Sequence, residues 1–312
     1  MKVTHPSDRT TLQLNPQGRS DVALRRILLA ELDIMELNEA CLRQQYDVEC
    51  LHDFRVAVRR SRIVLSRIPD VFSLRDVRRF MAKLSTLSKV SGPCRDLDVL
   101  LQHWPEYGDT TLPGYHQIHH YLQQMSANAR SDVVAYLSSE HHDRFRNSWR
   151  NFLLQPPAVT RMHNAILPAS LLAELILGSA VHILNKRLKV IRHGTDDSRL
   201  HKLRIVSKRL RYLLDYFLFA DSDPAYGELM PELKKLQEVL GVNQDLCVQK
   251  SMTISIKKQM TKTGLMTADV NNALQNIKKT IKKRAVKQRV LALKVIKRVL
   301  RSDALAGVRQ VD

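Results

Sequence analysis

The sequence predicts an all-α protein: two pseudo-symmetric antiparallel helical bundles made by internal duplication, with a basic groove or channel between them. Three observations predict it. Only 10 Gly and 11 Pro occur in 312 residues, while Leu, Ala, Lys and Arg, all good helix formers, are plentiful. Apolar residues recur at helical spacing, and no sustained period-2 run bounded by turns marks a strand. Finally, a long part of the chain repeats itself.

The repeat sets the organisation. Residues 51–62 return as 200–211: His52 matches His201, Arg55 matches Arg204, Arg59 matches Lys208, Arg60 matches Arg209 and Arg62 matches Arg211. A second block, 92–99, returns as 241–248. Both blocks share one offset of 149 residues (52 to 201, 92 to 241), and Leu84, Leu87 and Val90 fall on Leu233, Leu236 and Val239 without a gap. The chain therefore divides into an extended or disordered segment over 1–20, a first bundle over 21–155 and a second over 156–312. The bundles join near Gln155-Pro156-Pro157.

Helices are expected from Asp21 onward and over 51–68, 76–90, 96–104, 118–137 and 141–153. In the second half they are expected over 197–219, 228–240, 245–262 and 268–300. Gly92-Pro93 and Gly241 are read as helix ends. Asp96 and Asp245 then stand near the starts of the next helices, either as N-caps or orienting a basic neighbour. The apolar stretch 165–184 is about as long as a membrane span. It holds Pro168, Glu174 and His182, and its counterpart in the first half carries Arg25, Arg26, Glu31 and Glu36. It is therefore read as a buried bundle helix, with no role for a membrane. The N-terminal residues lack the apolar core of a signal peptide. Cys41, Cys50, Cys94 and Cys247 show neither CxxC nor zinc spacing. They are expected to be reduced thiols of a cytoplasmic protein.

Charge narrows the function. Lys plus Arg number 50 against 31 Asp plus Glu, a formal net charge of +19. Such a chain repels itself when folded, and a polyanionic partner relieves that cost: nucleic acid, an anionic membrane surface or polyphosphate. On a helical wheel, His52, Arg55, Arg59 and Arg62 fall within an arc of about 80°. Phe54, Ala57, Val58, Val64, Leu65 and Ile68 cover the opposite face. In the second copy His201, Arg204, Lys208 and Arg211 form the stripe. A solvated face usually mixes charge signs to gain i,i+4 pairs, whereas this stripe has one sign and occurs twice. Arginine's planar fork suits phosphate oxygens, and histidine adds a donor whose charge rises near a polyanion. The C-terminal segment, with Lys278, Lys279, Lys282, Lys283 and further cations, reads as a cationic bundle helix that widens this surface.

Other classes fit less well. A phosphohydrolase needs carboxylate and His ligands converging on metal, and the repeated stripe offers cations instead. His116, His119 and His120, and the pair His141-His142, lie outside the repeat. No P-loop, nucleophile elbow or HExxH occurs. The reading is non-enzymatic, with neither cofactor nor metal. Nucleic-acid binding is permitted by charge, but aromatic residues for base stacking make up only 5% of the chain. Weak, nonspecific, salt-sensitive binding is the most expected there.

The motif His52-x-x-Arg55-x-x-x-Arg59-Arg60-x-Arg62, followed by Gly92-x-x-Arg95-Asp96-Leu97-x-Val99 and a degenerate second copy of each, resembles the CHAD family. The name denotes a conserved-histidine α-helical domain. The resemblance runs over about 21–301. It implies an all-helical protein with a basic channel between two pseudo-symmetric bundles. It also implies binding of inorganic polyphosphate, often at polyphosphate granules, here without a fused triphosphatase domain. The family's basic positions carry over to His52, Arg55, Arg59, Arg60, Arg62, Arg95, His201, Arg204, Lys208, Arg209 and Arg211, and Lys89 joins them as a further polyphosphate-binding candidate. The copies differ: Gln244 replaces the charge of Arg95, and Glu238 stands opposite Lys89. A weaker grip along the later helix of the second half is expected.

Overall fold

The computed structural model describes residue 12 and residues 14–156, 162–192, 195–219, 222, 224–302 and 305. Expectations for residues 1–11, residue 13 and Pro157 lie outside the described residues. Among the described residues the regular structure is helical, apart from one isolated bridge between Arg19 and Pro168. The helices are α1 (Ser20–Gln44), α2 (Val48–Arg67), α3 (Leu74–His103), α4 (Pro113–Leu137), α5 (Glu140–Leu154), α6 (Ala169–Arg192), α7 (Asp197–Phe217), α8 (Pro224–Lys262) and α9 (Ala268–Val299). The protein is all-α.

Local chemistry places the first elements. The Asp47 side chain accepts from Glu49 N–H at 2.7 Å to start α2, and Asp196 accepts from Arg199 N–H at 2.7 Å to start α7. Helix starts follow the sequence offset: Ser20 to Ala169 and Val48 to Asp197 are each 149 residues. The starts of α1 and α6 also lean on each other. Ser20 N–H donates to Leu167 C=O at 2.9 Å, and Ala169 N–H donates to Gly18 C=O at 2.9 Å.

The second block departs from expectation. Gly92-Pro93 does not end a helix: α3 runs unbroken with Pro93 inside it, and α8 runs through Gly241. An interior Pro costs about 3 kcal/mol of helix propensity. Buried residues on both sides outweigh that cost: Leu84 and Leu87 before it, Cys94, Leu97 and Leu100 after it. Leu233, Leu236 and Leu240, then Leu246, do the same for α8. Asp96 and Asp245 are therefore mid-helix residues and not N-caps.

The apolar core is shared between the halves. One cluster joins Leu28, Phe54, Phe80 and Trp149 from before residue 155 with Leu177, Leu203, Leu213 and Leu233 from after it. The other gathers the end of α3 (Leu97, Leu100, Trp104), the start of α4 (Tyr115, Ile118), the late part of α8 (Ile256, Met260) and the start of α9 (Val270, Ile277). Helix α4 packs on α9. A Cβ added at Gly114 would collide with the Asp269 and Val270 backbone, so glycine permits this approach. A boundary at 155 thus separates two chain halves but not two cores.

The cysteine expectation needs correction. Cys41 and Cys50 form a disulfide, with an S–S distance of 2.05 Å. Only three residues separate α1 from α2, so the chain folds straight back and brings the two Cα atoms to 6.3 Å, within bridging range. Cys94 and Cys247 are free thiols, Cys94 buried and Cys247 half-buried. Among the described residues no helix is long and apolar enough to cross a membrane. The apolar stretch in question forms α6, whose Leu172, Leu177, Val181, Leu184 and Leu188 are buried in the core.

Candidate functional site

Helix α2 buries Leu51, Phe54, Ala57 and Val58, which turns His52, Arg55 and Arg59 away from the core. Helix α7 buries Leu200, Leu203, Val206 and Leu210 and turns Arg204 and Lys208 the same way. The helices meet in matched pairs, α2 on α7 and α3 on α8. The two cationic stripes therefore face one space, a cavity of about 260 Å³. Its cationic lining is His52, Arg55 and Arg59 from α2, Arg95 from α3, and Arg204 and Lys208 from α7. Asp96 and Asp245 are the carboxylates in the wall, and Val56, Val99, Gly241, Val248 and Gln249 complete it.

Some members are held in place. Arg55 donates from Nη1 to Ser91 Oγ at 2.8 Å and to Ser88 C=O at 3.1 Å. Arg95 reaches Val48 C=O at 3.4 Å. Gln249 accepts from Tyr107 O–H at 2.6 Å, which fixes the floor to the second core.

Burial first, and crowding of like charges second, sets the electrostatics of the basin. Burial, with Arg59 next, pushes Arg55 down to about 10. Lys208 falls to about 7, first through burial and then through Arg204, Arg59 and Arg211. Arg204 is lowered by burial, with a further push from Arg59 against the pull of Asp245. His52 is lowered by burial and by Arg95. Asp96 and Asp245 are raised by burial, and each opposes the depression of its neighbours: Asp96 supports Arg55, and Asp245 supports Arg204 and Lys208. Six basic side chains thus stand around one cavity, and several of them are lowered by burial first and by neighbouring cations second.

The other sequence candidates fall outside this cavity in distinct ways. Arg62 stands one turn beyond Arg59 and donates to Ser88 Oγ at 3.1 Å, at the edge of the basin. Lys89 is exposed on α3. His201 is exposed, with Nδ1 2.5 Å from Gln244 Oε1, and stays at the rim while Arg204 and Lys208 enter. Arg211 stacks its guanidinium over Tyr212 at 5.1 Å. Arg60 points elsewhere: it is buried, pairs with Asp215 at 2.5 Å and Glu31 at 3.4 Å, and lies over Tyr212 and Tyr216. Arg209 lines a separate cavity beside α6. Two of the histidines outside the repeat make interior or aromatic contacts. His119 stacks near Trp104 and Tyr115, and buried His142 meets Glu39 at 2.8 Å. Among the described residues no three His, Cys, Asp or Glu side chains are grouped to hold a metal ion.

Sequence reasoning passed over the apolar walls. Val56, Val99 and Val248 sit on the inner edge of their helices, and Val99 and Val248 share the 149-residue offset that the cations obey.

The CHAD domain family model matches residues 26–253, and the chain belongs to that family. Two solved structures are similar. The CHAD domain from the plant Ricinus communis is 22% identical, with 96% of each chain covered and a TM-score of 0.77. PptA from Streptomyces chartreusis is 13% identical, with 89% of this chain and 99% of that chain covered and a TM-score of 0.66. The comparison with curated proteins returns no match.

Proposed function

We propose that this chain binds inorganic polyphosphate in the basin between α2 and α7, without catalysing its breakdown. The observation that carries this reading is the convergence of six basic side chains from both halves on one cavity walled by only two carboxylates. A linear chain of phosphates presents closely spaced negative charges along a flexible string. Rigid helices bearing Arg forks match it with paired, charge-assisted hydrogen bonds. A low-dielectric cleft makes each contact stronger than one on open surface. Duplex DNA is a thick rod, and a cleft of about 260 Å³ favours a thin chain over it.

The proposed cellular role is residence in the cytoplasm at polyphosphate granules. The Cys41–Cys50 bond gives this location its own check: protein denatured and alkylated directly from intact cells carries two labels if the bond forms there and four if it does not.

The decisive experiment is calorimetric titration with long-chain polyphosphate, tripolyphosphate and a DNA duplex at equal phosphate concentration. Long-chain polyphosphate is expected to bind most tightly. Displacement of polyphosphate by duplex DNA would reverse the ranking and favour a nucleic-acid role. Sustained phosphate release in the presence of divalent metal would make the protein an enzyme.

A further inference from the structure

A second cavity lies elsewhere. About 420 Å³ in volume, it runs along α6 between α7 and the end of α2. Its long wall is apolar: Leu172, Leu175, Ile176, Ile183, Val206 and Leu213. Leu175 and Ile183 are exposed along it, at 44% and 36%. At one side stand Arg67 and Arg209, and neither makes an ion pair with a described residue.

The 149-residue offset gives this cavity a counterpart in the other half. Arg209 corresponds to Arg60, Ala180 to Glu31, Asp215 to Ser66 and Tyr216 to Arg67. Around Arg60 the site is complete: Glu31 and Asp215 supply carboxylates, and Tyr216 fills the space. Around Arg209 both carboxylate positions are occupied by residues without charge, Ala180 and Ser66, and the tyrosine position brings a second cation. The cavity has opened where the ion-pair cluster would have been. Burial and the nearby Arg67 lower the pKa of Arg209, in keeping with a cation that lacks its counter-ion.

We propose that this cavity binds an amphiphilic carboxylate, with its head between Arg67 and Arg209 in place of the missing Glu and Asp, and its alkyl tail along α6. A bidentate Arg–carboxylate pair satisfies the head. The volume falls in the range of small-molecule pockets and not of a protein interface. The site shares no lining residue with the polyphosphate basin, so the two readings stand or fall separately.

The test is titration of the full chain with decanoate below its micelle concentration, against octanoate and decyltrimethylammonium. Saturable decanoate binding is expected. Octanoate is expected to bind about fifteenfold more weakly, the value of two methylenes at about 0.8 kcal/mol each. The quaternary ammonium ion is expected not to bind. Ala180→Glu restores the carboxylate found in the other half and should weaken decanoate binding at least tenfold. Ser66→Asp, at an exposed position that tolerates the change, is expected to act in the same direction. Both variants should keep the wild-type polyphosphate response. Absence of saturable decanoate binding, equal binding of the ammonium ion, or displacement of decanoate by long-chain polyphosphate overturns the proposal. So does unchanged decanoate binding in the folded Ala180→Glu and Ser66→Asp variants.

Discussion

Arg59 and Arg60 are neighbours in the chain and have opposite fates. Arg59 enters the basin among other cations, whereas Arg60 turns inward to Glu31 and Asp215 between two tyrosine rings. One residue along a helix rotates a side chain by about 100°. That is enough to move an arginine from a surface that repels itself to an interior where its charge is matched. Positive charge in a repeated motif therefore stands in two settings here: Arg60 is matched by carboxylates between the halves, and Arg59 stands among other cations around a cavity. The two settings respond differently to mutation.

Replacing Arg55 and Arg204 together by Gln breaks the basin side. Charge-assisted hydrogen bonds contribute about 1.5–3 kcal/mol each. Polyphosphate affinity is thus expected to fall at least about a hundredfold by calorimetry, while thermal stability holds or rises as repulsion is relieved. Removing Arg60 breaks the other side. Arg60→Ala removes the buried cation shared by Glu31 and Asp215 and is expected to cost about 3–5 kcal/mol in urea unfolding. The polyphosphate affinity of the folded fraction should then change by less than about threefold. If Arg60→Ala weakens binding as much as the double basin variant, the two settings of charge are not separate.

A pH titration sharpens the contrast. Lys208 sits near 7 in the free protein, below its ordinary range, and a bound polyanion raises it again. The complex therefore holds more protons than the free protein. Affinity is expected to be fullest below about pH 7 and to decline as pH rises from there toward the ordinary lysine value. For folding the sign is opposite. The unfolded chain binds the Lys208 proton more tightly than the native one, so this residue's contribution to stability improves over the same rise in pH. Lys208→Met should flatten both slopes. The smallest effect is expected on α9, where Lys278 and Lys279 are exposed and screened. Their joint replacement by Ala should weaken polyphosphate binding by less than about threefold at 0.15 M salt.

Much of this was legible in the sequence, for identifiable reasons. Helical periodicity and scarce Gly and Pro gave the all-α class. The single offset gave the matched pairs α1 with α6 and α2 with α7, because helix starts follow local caps such as Asp47 and Asp196 that repeat with it. Five other features were not legible. Pro93 and Gly241 look like helix ends in isolation, but buried residues on both flanks carry α3 and α8 through them. The fate of Arg60 depends on Glu31 and Asp215, which are distant in sequence and invisible to a helical wheel. His201 belongs to the same stripe as Arg204 and holds the helix position of His52, yet it is exposed at the rim beside Gln244. The disulfide follows from the sharp α1–α2 reversal, which cysteine spacing alone does not disclose. The apolar cavity beside α6 arises from side chains absent at Ala180 and Ser66, and an absence leaves no motif to find.

The central claim is that both stripes grip one phosphate chain. A structure of the protein crystallised with long-chain polyphosphate tests it most directly. The account predicts continuous density through the cleft, touching Arg55 and Arg95 on one side and Arg204 and Lys208 on the other. Density confined to the lysines of α9, with the cleft between α2 and α7 empty, would contradict it.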